Sequence, residues 1–260
     1  LAARMTGRPC RMRYDRDDDM MITGKRHDLR IGYRAGINAE GRILGLEFTH
    51  LFRCGWSQDL SLPVADRAML HADNCYHLPD IRIESHRLRT NTQSATAFRG
   101  FGGPQGMVGI ERVMDHAAFA VGRDPLAVRR VNFYRASGEG GASGGDISAK
   151  MKAQTTPYHM PVEDFIGHEL VADLERSSDY AARKAGIAAW NAGSAVLKRG
   201  IALTPVKFGI SFTLTWLNQA GALVHVYQDG SIQLNHGGTE MGQGLFQKVA
   251  QVTASVFGLD

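Results

Sequence analysis

Cysteine is scarce: Cys10, Cys54 and Cys75 are the whole complement of the 260 residues. An odd number of thiols this far apart excludes a disulfide framework and fits a reducing compartment. No C-x-x-C occurs, which removes iron–sulfur and structural zinc sites built from thiolates alone. His71, Cys75 and His77 are close enough in sequence to raise a metal corner. No fourth ligand is near and the run reads as loop, so ordinary packing is the stronger reading. Long apolar runs are missing too. Without a stretch of about 18 uncharged apolar residues, or a basic and apolar leader, no membrane span is expected and a cytoplasmic protein is. Nor is charge of one sign concentrated: 30 basic residues against 26 acidic ones are scattered, which argues against a nucleic-acid partner. The chain opens on Leu1 rather than methionine and stops at Asp260 directly after an apolar helical pattern, as expected of a piece of a longer polypeptide.

What is present is globular in composition: 43% hydrophobic and 22% charged residues, enough for one large domain or two smaller ones. Apolar and polar residues alternate from Leu29 to His50 around Asn38-Ala39-Glu40-Gly41, which predicts an antiparallel hairpin. A second hairpin is expected over Ala222 to Asn235, turning at Asp229-Gly230. Each is followed by a glycine-rich turn and a helix. The first helix has Pro104 near its start, Met107, Ile110, Met114, Ala117 and Val121 at helical spacing, and Gly122 at its end. The second begins near Gly244 with Leu245, Val249, Val252 and Val256 on one stripe. The stretch from Pro161 to about Ala192 reads as bridging helices. The fold class is therefore α+β, mixed sheets with packed helices. The first unit spans residues 1–135, a glycine-rich connector 136–160, and the bridging helices with the second unit 161–260.

Four places carry potential chemistry, each with a plain alternative. Thr96-Ala97-Phe98-Arg99-Gly100-Phe101-Gly102-Gly103-Pro104-Gln105-Gly106 is neither a dinucleotide fingerprint nor a P-loop. It offers a run of backbone amides at a helix start, able to face an anion or an oxo ligand, or else it is a tight turn with its rings in the core. Thr239-Glu240-Met241-Gly242-Gln243-Gly244 repeats the arrangement, with Gln243 able to offer a donor and an acceptor to a planar heterocycle, or serving merely as a capping turn. Phe208 to Thr213 reads first as a buried strand. Arg67 is either a ligand clamp or a surface charge.

Taken together and in order, several motifs resemble the molybdenum hydroxylase family, in particular its purine-oxidising branch. They are Asp15 to Met20, Ile22 to His27, Asp73-Asn74-Cys75-Tyr76, Ala97 to Met107, Lys207 to Thr213, Asn218 to Ala222, and His236 to Leu245. The resemblance covers nearly the whole chain except the connector around residues 136–156, which departs from the family pattern. It implies parts of two molybdopterin-binding domains: the C-terminal part of the first and the N-terminal part of the second. It implies a molybdopterin cofactor and oxidation of hypoxanthine or xanthine to xanthine or urate, by metal-bound hydroxide attack and hydride transfer to a sulfido ligand. Electrons would leave through 2Fe-2S clusters and FAD on another subunit or domain, and the complete assembly would be a homodimer.

Carried over by position, Ala97, Phe98 and Arg99 would border the cofactor, with the backbone at Arg99 beside the metal. Phe101 and Phe212 would sandwich a purine, Thr213 would hydrogen-bond it, and Arg67 would stabilise charge developing on it. Gly242 and Gln243 would touch the pterin. The family's general-base glutamate would lie beyond the end of this chain and a second, substrate-binding glutamate before its start, so the fragment alone should be inactive. An aldehyde or other N-heterocycle oxidase of the same family, or an inactive remnant serving as an interaction module, are the alternatives; the presence of Arg67 favours the purine branch.

Overall fold

Period-two alternation places Leu46, Phe48, His50 and Phe52 of one strand on a single buried face. That strand, β2 (Ile43–Gly55), pairs antiparallel with β1 (Asp28–Ile37). The connecting turn is closed by Asn38, whose N–H donates to Arg42 O at 3.0 Å, while Gly41 adopts a left-handed φ of 80°. These strands belong to a computed structural model that describes residues 1–135 and 154–259. The connector residues 136–153 lie outside the described residues. The chain divides into two compact units, 1–209 and one beginning at Ile210.

In the first unit a third strand, β3 (Ile81–Arg89), runs parallel to β2 with Leu46 opposite Ile81. Two short helices, α1 (Ala2–Thr6) and α2 (Arg16–Ile22), precede the sheet, and α3 (Ser61–Leu70) crosses from β2 to β3. Helix α4 (Gly103–Val121) carries Ile110, Val113, Met114 and Ala117 on the face that packs with Ile43, Leu46 and Phe48. It starts with Pro104 in its first turn and stops at Gly122, φ 66°, whose N–H bonds back to Ala118 and Phe119. Helix α5 (Pro125–Asn132) follows, capped by the Asp124 carboxylate on the amides of Leu126 and Ala127. The region read as bridging helices contains α6 (Gly167–Ser177) and α7 (Tyr180–Gly193), which add Val171 and Tyr180 to the same core.

The second unit holds the β4 (Ala222–Val226) and β5 (Ile232–His236) hairpin, turning at Gly230 with φ 83°, and α8 (Leu245–Phe257). Both hairpins and both long helices thus form where the pattern places them, and the α+β class holds. One expectation fails: the Phe208–Thr213 stretch forms no strand among the described residues. Its physical reason is at the site, where side chains replace a ladder.

Candidate functional site

The glycine turn before α4 is tightly wound. Gly100, Phe101 and Gly102 all have positive φ, at 92°, 52° and 93°. Gly102 and Gly106 are required by the protein's own packing: a Cβ on Gly102 would lie 2.0 Å from Val64 O, and one on Gly106 would lie 2.2 Å from Ala68 O. The start of α4 therefore seats backbone-to-backbone on α3. Phe101 is not glycine, and a left-handed aromatic residue costs roughly 1–2 kcal/mol. Strain of this kind is tolerated where surrounding structure holds a side chain at a working position.

Upstream of that turn the amides of Ala97, Phe98, Arg99 and Gly100 meet no acceptor among the described residues. Neighbours fix the run on both sides. Thr96 N–H donates to Lys25 O at 2.9 Å, and Arg26 Nη2 donates to Arg99 O at 2.7 Å. The Arg26 guanidinium also lies 4.5 Å over the Phe98 ring, and its buried Nη1 has no partner among the described residues. Burial pulls its pKa below the ordinary arginine value. Thus Ile22 to His27, a motif with no obvious role in isolation, orients the amide run.

Arg67 sits on α3 with 4% of its surface exposed. Its guanidinium carbon is 5.8 Å from the Phe101 ring centroid and 5.4 Å from that of Phe208, and its Nη1 donates to Gly209 O. Burial lowers its pKa, yet a guanidinium stays charged at any physiological pH. The structure therefore brings Arg67 and Phe101 together and adds Phe208, which also closes over Gly103: a Cβ there would lie 2.6 Å from Phe208 Cε2.

Phe208 and Gly209 are held from His71 to Tyr76. His71 Nε2 accepts from Gly209 N–H at 3.0 Å. Asn74 acts as a strand substitute: its Oδ1 accepts from Lys207 N–H at 2.8 Å and its Nδ2 donates to Pro205 O at 2.9 Å. Lys207 Nζ reaches Asp73 Oδ2 at 2.5 Å, and Tyr134 Oη donates to the same oxygen at 3.0 Å. Burial nevertheless raises the Asp73 pKa, against the opposing pull of Lys207. Behind Asn74, Glu111 accepts from Asn74 and Tyr76 and binds Arg129 at 2.7 Å. The trio His71, Cys75 and His77 forms no metal corner: among the described residues no group of three possible ligands converges. Cys75 is buried and its thiol pKa is pushed well up by desolvation, so it is inert.

In the second unit, Phe212 is framed by Asn218, which accepts from its N–H at 2.6 Å and donates to its carbonyl at 3.0 Å. Thr213 follows it in the same half-buried loop. The Thr239–Gly244 turn is organised around Glu240. Its carboxylate accepts from the N–H groups of Gly242 at 2.7 Å, Gly244 at 3.1 Å and Phe246 at 3.3 Å. Desolvation pulls the Glu240 pKa upward, but these amide bonds outweigh it and hold the pKa below the ordinary value. Gln243 is folded back on its own loop, donating to Thr239 O at 2.9 Å and accepting from Met241 N–H at 2.6 Å.

Two stretches, residues 1–133 and 173–260, match models described as molybdopterin cofactor-binding domain. The chain belongs to that family. It is 44% identical over 259 residues to "Xanthine dehydrogenase" of Drosophila subobscura, covering 100% of this chain and 18% of that protein. It is 42% identical over 256 residues, 98% of this chain and 18% of the relative, to "Nicotinate hydroxylase hnxS" of Emericella nidulans. The chain thus spans about 18% of the length of the curated relatives it matches. The solved structure of quinoline 2-oxidoreductase from Pseudomonas putida 86 shares the fold, with a TM-score of 0.67 at 20% identity over 97% of this chain and 32% of that one. The resemblance read from the motifs is borne out at the level of the family.

Sequence reasoning missed Glu111 as a site-building residue; it raised His71 only as a possible metal ligand and held Asp73 and Phe208 inside motifs without giving either a role. The available signal was modest: a polar Asp73-Asn74 pair directly after a helix, and an aromatic–glycine pair at 208–209. Glu240 could have been found as an acidic residue just before an apolar helix, where the helix dipole favours it.

Proposed function

We propose that this chain supplies part of the cofactor and substrate site of a molybdenum hydroxylase that oxidises hypoxanthine and xanthine. The observation that carries the reading is the buried Arg67 guanidinium held against the Phe101 ring, together with the amides of residues 97–100 that meet no acceptor among the described residues. Those amides, with the buried Nη1 of Arg26, are a donor-only surface, and a donor-only surface fits the oxygen-rich shell of a molybdopterin-bound metal. In this reading Ala97, Phe98 and Arg99 border the cofactor, and Gly242 and Gln243 border its pterin. The cofactor, when bound, supplies two-electron oxidation with oxygen drawn from water.

The chain's own residues do the rest. In the same reading Phe101 offers a ring face to a planar substrate, Phe212 contributes a second ring and Thr213 a hydrogen bond; aromatic contacts of this kind contribute roughly 0.5–1.5 kcal/mol beyond buried area. Arg67, poorly solvated and fixed, stabilises negative charge as it develops on the purine, so its contribution is larger in the transition state than in the ground state.

Residues 1–135 belong to the first cofactor-binding domain, 136–160 connect, and 161–260 bridge to and begin the second. 2Fe-2S clusters and FAD reside on other parts of the complete protein, which is a cytoplasmic homodimer. All three cysteines are free, which supports a reducing compartment, and no helix among the described residues is long and apolar enough to cross a membrane. A second reading, oxidation of another N-heterocycle, is favoured by the nicotinate hydroxylase relative.

The test is Arg67→Met in the complete, molybdenum-loaded protein, assayed on hypoxanthine and on a simple aldehyde. Loss of turnover at least tenfold greater for the purine is expected. Equal losses on both substrates overturn the charge-stabilising role, and wild-type protein that loads molybdenum but turns over a pyridine carboxylate in preference to hypoxanthine favours the second reading.

A further inference from the structure

Helix α3 ends in an unusual way. A continuing helix would bond the N–H of residue 71 to the carbonyl of residue 67, but His71 N–H turns to Ala68 O at 3.4 Å. The Arg67 carbonyl is taken instead by the His71 ring, whose Nδ1 lies 2.9 Å away. On its other side the ring meets Gly209 N–H through Nε2 at 3.0 Å. Both assignments are forced. A carbonyl only accepts, so Nδ1 carries the hydrogen; a backbone N–H only donates, so Nε2 carries the lone pair. The circuit then closes on itself, because Gly209 O accepts from Arg67 Nη1.

We infer that His71 is a positioning residue for Arg67, a neutral imidazole that locks the Arg67 guanidinium and the Phe208–Gly209 segment into one rigid unit. This rests on the reading of Arg67 given above. The ring is 6% exposed and lies 4.9 Å, centroid to centroid, from Phe208. The charged groups acting on it are Arg67 on its own helix, Asp73 just beyond it, and Lys207 on the docked segment; Gly103 of α4 packs on its edge. Protonation would place the ring's second nitrogen-bound hydrogen, on Nε2, directly against the Gly209 N–H. Two donors cannot share that 3.0 Å gap, so Gly209 would be released and its carbonyl withdrawn from Arg67. Burial keeps the His71 pKa below the ordinary 6.5, which preserves the neutral form near pH 7.

The experiment uses the complete, molybdenum-loaded protein and compares wild type, His71→Gln and His71→Leu with hypoxanthine from pH 5 to 8. Glutamine offers one acceptor and one donor but does not titrate; leucine offers neither. In His71→Leu, kcat for hypoxanthine should fall about tenfold with little change in KM, and His71→Gln should recover most of it. Once the pH falls below the lowered His71 pKa, activity of wild type relative to His71→Gln should decline, because only wild type loses its acceptor.

A His71→Gln protein no more active than His71→Leu, or a His71→Leu protein with wild-type kcat, overturns the inference. Arg67→Met run in parallel separates the two levels. A purine-selective loss there, alongside a His71→Leu protein with wild-type kcat, removes only the role of His71; absence of that selective loss removes the reading beneath it.

Discussion

Gly106→Ala should destabilise the protein although it replaces a poor helix former with the best one. Position 106 lies in the first turns of α4, where alanine ordinarily gains about 1 kcal/mol over glycine. Here the added Cβ would fall 2.2 Å from Ala68 O, against an ordinary contact of about 3.4 Å, so α3 and α4 must separate by about 1 Å. Both partners are backbone, and no rotamer change can relieve the contact. Overpacking of this sort costs roughly 3 kcal/mol, leaving a net loss of about 2 kcal/mol.

The internal control is Gly186→Ala in α7, where nothing lies within 4 Å of the new Cβ and the gain should appear undiminished. Chemically identical changes should therefore differ by about 3 kcal/mol in urea or guanidinium unfolding. Because α3 carries Arg67 next to Ala68, the same shift should loosen Arg67 from Phe101 and lower purine turnover in the complete protein. A Gly106→Ala protein as stable as Gly186→Ala would refute the close backbone seating of the two helices.

Two further outcomes follow from the buried polar groups. His50 lies fully buried in β2 with neither ring nitrogen partnered among the described residues, and burial depresses its pKa from 6.5 to about 4. The unfolded chain takes up a proton between those values and the folded one does not. Stability should therefore fall by about 3 kcal/mol as pH drops from 6.5 to 4, and His50→Leu should abolish that part of the acid sensitivity in unfolding midpoints. Glu111→Ala should cost about 3 kcal/mol, because the Arg129 side chain, 3% exposed, would lose its Glu111 carboxylate and keep only Asp115 and the carbonyl of residue 111, whereas Tyr76→Phe should cost about 1.5 kcal/mol. Equal costs from these two substitutions, measured by chemical denaturation, would show that the buried arginine is not the source of the effect.

What could be read without the structure was local. The turns at Asn38–Gly41 and Asp229–Gly230, and the proline and glycine at the ends of α4, announce themselves within a few residues because their signals are backbone constraints. The parallel pairing of β3 with β2 was hidden, since the exposed face of β3 is crowded with charge and its register is set by contacts more than thirty residues away. The misreading of Phe208–Thr213 as a strand has a similar origin. Its alternation is real, but the backbone of 207–209 is satisfied by Asn74 and His71, more than 130 residues earlier. The glycines at 102 and 106 were legible as a close approach; what they approach is α3, while the amides that meet no acceptor among the described residues lie just upstream at 97–100.

The Asn74 side chain joins two parts of the sequence that lie far apart. By gripping Lys207 N–H and Pro205 O it fastens a piece of chain more than 130 residues away beside the end of α3. Docking is then insensitive to how long the tether is: doubling a loop adds only about 0.6 kcal/mol of closure entropy. The station of Phe208 over Arg67 therefore answers to a few side chains at the end of α3 rather than to the length of chain that separates the two.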